Sequence, residues 1–161
     1  MAADLPAPSH ARQAGRWRVF LDTRVLIAGL TSPTGASAAI RDLDEAEELR
    51  FVLSRQVLVE ADRVLFRKFP HLIERSRLFI KNVSPELADD PPPHALRAAE
   101  ALIDPDAAPM LAAAKHEGVD YLVPLNTQHF LTPKARAFFS APIVTPDEFL
   151  LAFREFWERA R

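Results

Sequence analysis

A layered α/β sandwich built on parallel strands is the fold class this sequence predicts. Short apolar runs alternate with longer amphipathic stretches from residue 17 onward, so helices stand between successive strands. Such crossovers leave neighbouring strands parallel, with the helices layered against the sheet. The size agrees: 161 residues, 48% of them hydrophobic, supply one core and leave too little chain for a second independent domain. We therefore expect a single domain over residues 17–161.

Residues 1–16 (MAADLPAPSHARQAGR) have no apolar period and read as a flexible arm. Arg12 and Arg16 are available there to an anionic partner, although a solvated tail is the plainer reading. Trp17–Leu21 is a buried strand ending at Asp22. Ala36–Leu49 is an amphipathic helix with Ile40, Leu43 and Ala46 on one face, and Ser32 or Thr34 is placed to cap it. Phe51–Ser54 is the second strand, and Gln56–Phe69 a helix with a stripe of Val57, Leu58, Ala61, Val64 and Leu65, stopped by Pro70. His71–Ile80 reads as another helix and Asp89–His94 as a proline-stiffened connector. His94–Ile103 and Ala107–Glu117 are Ala-rich helices, the latter closed by Gly118. Val119–Val123 is a third strand and Pro142–Val144 a short fourth. Pro146–Arg159 is a final helix with Phe149, Leu150, Phe153 and Trp157 on one face.

Composition narrows the function classes. Twenty Lys and Arg against 22 Asp and Glu give a net charge of -2, and the pI is about 6.2. A chain-wide grip on nucleic acid is excluded, a local basic patch is not. With no cysteine, thiolate nucleophiles, disulfides and cysteine metal sites are excluded. That absence and the lack of an apolar signal core fit a cytoplasmic location, and no apolar stretch approaches a membrane span.

In parallel sheets, sites form beyond the carboxyl ends of the strands, which puts weight on Asp22, Ser54 and Leu125–Asn126. Asp22 can hold a divalent cation there or cap the following helix. Glu60 falls within the apolar stripe of its helix, where an unpaired charge is costly, so it is expected to be paired or coordinated; an ion pair with Arg63 or Arg67 is the plain reading. Asp104 and Asp106 precede a helix that tolerates Pro109 only in its first turn, and either can cap it. There is no GxGxxG, Walker-type loop or GxSxG elbow, Arg24 stands where a paired-aspartate phosphatase has its second acid, and the five histidines lack metal-ligand spacing.

Five stretches, in order, resemble the PIN domain, the fold of VapC-type toxins and related endoribonucleases: VFLDTRVLIAGLTSPTGASA at 19–38, VLVEADRVLFRKFP at 57–70, DAAPMLAAA at 106–114, DYLVPLNTQHFL at 120–131 and IVTPDEFL at 143–150. The resemblance implies a three-layer α/β/α sandwich around a central parallel sheet, and Mg²⁺- or Mn²⁺-dependent cleavage of RNA by carboxylates gathered at the strand ends. It implies that Asp22 and Glu60 are the first two acids, and that Thr23 and Arg24 lie at the substrate. The family's usual Asn after the DT pair is Arg24 here, its fourth acid is Asn126, and its third acid position is Ala107, with Asp106 displaced by one. The catalytic set carried over is thus Asp22, Glu60, Asp106 and Asn126, with Asp22, Glu60 and Asp106 as the metal ligands.

At an effective dielectric of about 20, one charge ~4 Å away is worth roughly 4 kcal/mol. Two or three acids in place of four, with Arg24 alongside, should weaken divalent binding by orders of magnitude. The expectation is a PIN fold whose nuclease activity is weakened or lost; the alternative is a non-catalytic module binding RNA or a protein, with Arg24 holding a phosphate and Arg63, Arg67 and Lys68 extending the contact. The resemblance also implies an antitoxin-like partner and a homodimer, for which the last helix offers Phe149, Phe153, Phe156 and Trp157.

Overall fold

A computed structural model describes residues 16–125 and 127–160. The arm expected over residues 1–16 lies outside them except for Arg16. Strand β1 (Trp17–Leu21) pairs in parallel with β2 (Leu49–Ser54) on one side and β4 (Tyr121–Val123) on the other, and β2 carries β3 (Glu86–Ala88), giving the order β3-β2-β1-β4. The register sets Val19 beside both Phe51 and Tyr121, so the sheet centre is apolar: Val19, Phe20, Leu49, Val52, Leu53 and Leu122 are fully buried. Strands this apolar need cover on both faces, and helices supply it.

Helices α1 (Thr23–Thr31), α2 (Ala36–Glu45), α3 (Arg55–Lys68) and α4 (Ile73–Val83) fill the crossovers from β1 to β3. Helices α5 (Pro93–Glu100) and α6 (Ala108–Glu117) carry the chain from one edge of the sheet to the other, packed on each other. Right-handed crossovers set these two groups on opposite faces, completing the expected three-layer α/β/α sandwich. Two short helices, α7 (Thr127–Phe130) and α8 (Pro133–Phe138), lead to α9 (Pro146–Ala160), which lies along α2.

Several elements differ from the sequence expectation. Helix α2 ends at Glu45 rather than running to Leu49: Glu47 takes a left-handed turn (φ 61°), and Leu49 opens β2. Its N-cap is Gly35 without a side-chain bond, because Ser32 and Thr34 bond to each other in the α1–α2 link. A 3₁₀ turn at Pro70–Leu72 precedes α4, which runs on to Val83. The fourth strand is β3, hidden in the sequence by its three polar-flanked residues at the sheet edge. The segment at Pro142–Val144 makes only a bridge, Leu122 to Ile143, since Pro146 starts α9 almost at once. Gly118 closes α6 in a left-handed conformation (φ 65°), as expected.

One guanidinium fastens the edge. Arg18 pairs with Glu86 of β3 and Glu117 of α6 and donates to the Glu117 carbonyl at 2.9 Å. At the other side Phe149, Phe153 and Trp157 stack along α9, with successive ring centroids 6.3 and 6.1 Å apart. Trp17 meets Phe149, Phe153 and Phe156, the last at 4.9 Å between ring centroids.

Candidate functional site

The carboxyl ends of β1 and β2 are built by one device used twice. Asp22 ends β1 and caps α1, its Oδ1 accepting from the Val25 N–H at 2.8 Å; Ser54 ends β2 and caps α3, accepting from the Val57 N–H at 3.1 Å. Asp22 has a second tie, because its Oδ2 accepts from the Leu125 N–H at 2.9 Å beyond β4. Both oxygens of this carboxylate, only 6% exposed, are therefore hydrogen-bonded to backbone. Burial pushes its carboxyl above the ordinary aspartate value, against the opposing pull of the Val25 and Leu125 N–H groups and the charge of Arg24.

Asp22 opens onto a cleft of about 600 Å³. Thr23, Arg24, Glu60 and Asp106 line it too, so the described members of the expected site meet in one place. Glu60 is not on the inward face of α3 as expected: it is exposed in the cleft, because Val57, Ala61 and Leu65 take the buried stripe. Its partner is the Thr23 hydroxyl, which donates to Oε2 at 3.3 Å. Asp106 lies in the turn ahead of α6 and is exposed. Neither aspartate caps α6; the Asp104 carboxylate instead accepts from the Asp106 N–H at 2.9 Å, and Ala107 is the N-cap. Arg24 is exposed at the rim, and Asn126 lies outside the described residues.

Gln56, Arg63 and the apolar Val59, Met110 and Phe130 also line the cleft. Arg63 was marked in the sequence by its spacing from Glu60, whereas Phe130 follows β4 in an apolar segment that reads equally well as packing. The cleft thus sets three carboxylates against two guanidinium groups. Among the described residues no three or more His, Asp or Glu side chains are grouped closely enough to hold a metal ion. Each Asp22 oxygen already accepts one backbone N–H, and the Thr23 hydroxyl meets Glu60, so a divalent ion here would share its carboxylates with these donors.

A family model for the PIN domain matches residues 18–128. Three solved structures are similar in fold. The crystal structure of PAE2754 from Pyrobaculum aerophilum is 16% identical, with a TM-score of 0.57 over 86% of this chain and 96% of that one. FitAcB from Neisseria gonorrhoeae is 14% identical, with a TM-score of 0.55 over 80% and 97%. VapBC2 from Rickettsia felis, bound to a DNA fragment from its promoter, is 11% identical, with a TM-score of 0.54 over 80% and 98%. No curated protein matches the chain.

Proposed function

The chain belongs to the PIN-domain family, and from that premise we propose a PIN protein of the toxin–antitoxin type, one domain over residues 17–161, in which endoribonuclease activity is weakened or lost. The observation that carries this reading is the charge of the cleft. Asp22, Glu60 and Asp106 contribute -3, Arg24 and Arg63 contribute +2, and the sum is -1. Each carboxylate replaced by a neutral group forfeits roughly 4 kcal/mol of attraction for a unit charge ~4 Å away, and each guanidinium at that range opposes a cation equally. Asp22, Glu60 and Asp106, with the side-chain oxygen of Asn126, are the remaining candidates to meet Mg²⁺ or Mn²⁺, and Thr23 and Arg24 to meet substrate.

Calorimetry with Mn²⁺ up to millimolar concentration, beside cleavage of an oligoribonucleotide, tests this. We expect no saturable heat and cleavage at background. Saturable Mn²⁺ binding that disappears in Asp22→Ala, together with metal-dependent cleavage, would sink it.

A second reading is favoured by Arg24 and Arg63, both exposed in a cleft with an apolar wall. Guanidinium groups hold phosphate directly, without an intervening ion, so the domain would bind RNA non-catalytically. Filter binding should then be indifferent to EDTA and weaker in Arg24→Ala; EDTA-sensitive retention would reject it. The fold shared with VapBC2 supports an antitoxin-like protein partner, and the exposed Phe156 and Trp157 support a homodimer, which sedimentation would test. Among the described residues no helix is long and apolar enough to cross a membrane.

A further inference from the structure

Phe66 is 73% exposed, more than any other large hydrophobic side chain among the described residues. It stands in the last turns of α3, and it lines neither the cleft nor the apolar groove where Leu58 and Ala61 of α3 face Ile80 of α4. Residues three or four apart on a helix are surface neighbours, so the strip of Gln56, Glu60 and Arg63 that faces the cleft continues by one turn to Arg67. Phe66 stands beside that strip, one turn beyond Arg63 and two turns beyond the half-exposed Val59. From Gln56 to Arg67 the strip is about 16 Å long at 1.5 Å per residue.

The surroundings of the ring are cationic. Arg63, Arg67 and Lys68 are exposed, and no acid follows Asp62 in α3. Asp62 faces Arg77 of α4 at 3.5 Å, the one ion pair of α3 among the described residues. The dipole of α3 accounts for cations in its last turn, at Arg67 and Lys68. It accounts neither for Arg63 nor for a phenyl ring standing in water. A protein partner that buries an aromatic anchor does so in a patch depleted of charge, whereas this ring is bordered by guanidinium groups. Guanidinium groups hold backbone phosphates, and an exposed ring beside them offers its face to a base, the pairing that a single strand of nucleic acid takes.

We propose that Phe66, Arg63 and Arg67 form a stacking platform for single-stranded RNA running out of the cleft along α3, with phosphates on the two guanidinium groups and one base on the ring. The inference rests on the reading of the cleft as an RNA-binding site. A phenyl ring has no hydrogen-bonding group, so the platform accepts any base. A duplex keeps its bases stacked inside and cannot use it.

Fluorescence anisotropy of a short labelled oligoadenylate with the full chain, in EDTA, tests the platform. Saturable binding is expected, at least about tenfold tighter than that of an RNA duplex of the same length. Phe66→Leu should weaken the single strand about tenfold without changing the slope of log affinity against log salt, and Phe66→Trp should retain the affinity. Arg67→Gln should instead flatten that slope by about 0.7, the share of one phosphate. All three changes fall on exposed side chains, and unchanged circular dichroism would show the variants folded. Undiminished binding by Phe66→Leu while Arg24→Ala still weakens it would overturn the platform, leave the RNA reading of the cleft standing and assign the ring to a protein partner. Equal affinity for the duplex would overturn it too. No saturable binding of RNA would overturn both readings.

Discussion

Asp22 and Asp44 sit at opposite ends of the same sheet, each 6% exposed, and burial raises the carboxyl pKa of both. They differ in their partners. Asp22 spends both oxygens on the backbone N–H groups of Val25 and Leu125, whereas Asp44 keeps Oδ2 without a partner. Equal burial thus yields a carboxylate with both oxygens bonded to backbone at one end and, at the other, one that accepts from the Phe51 backbone and leaves Oδ2 unpaired. The hydrogen bonds a buried acid makes, as much as its burial, decide how it titrates.

The sharpest way to break the comparison is pH. Asp44 titrates at about 7 in the folded chain against the ordinary 3.8, so the folded state holds its proton over a range where the unfolded state has lost it. Stability from this group is present in acid and falls as pH rises from about 4 to about 7, by about 4 kcal/mol at 1.36 kcal/mol per pH unit. Urea denaturation across that range should show a steeper slope in the unmutated protein than in Asp44→Asn, where Asp22 still contributes; parallel curves would refute the difference. Next in size is Asp22→Ala, which removes a helix cap and strands the Leu125 N–H. A loss of about 2 kcal/mol is expected, read as a lower urea midpoint. A neutral result would mean that the Leu125 N–H finds water instead. The smallest effect is Thr23→Val, which deletes one 3.3 Å bond to an exposed glutamate and should cost about 0.5 kcal/mol or less by the same measurement. A larger loss would show that Glu60 is as firmly placed as Asp22.

Much of this was legible in the sequence. The strand Trp17–Leu21, the stripe of α3 and the Gly118 cap follow from periodicity and glycine chemistry, and the order of five motifs pointed to the PIN fold. The convergence of Asp22, Glu60 and Asp106 on one cleft follows from their places after β1, early in α3 and before α6. What the sequence hid was decided by distant contacts. Strand β3 has no pattern of its own and exists because Glu86 meets Arg18 and β2 offers an open edge. Glu60 reads as inward on a helical wheel, yet Val57, Ala61 and Leu65 take the buried stripe and leave it in the cleft, where Thr23, 37 positions earlier, meets it. A cavity lined by Asp44 joins the ends of two helices, a proximity that no local window contains.

The fastening of β3 by Arg18 has a consequence for association between copies. A three-residue strand is a thin guard for β2, whose outer row of N–H and carbonyl groups would otherwise be a template for a stranger's backbone. That guard is laddered to β2, tied by the Asp89 N–H to Glu117 and clamped by one guanidinium shared between Glu86 and Glu117, both partly open to water. Concentrated salt weakens only the last of these, so in brine the edge keeps its backbone ladder and loses its ionic clamp.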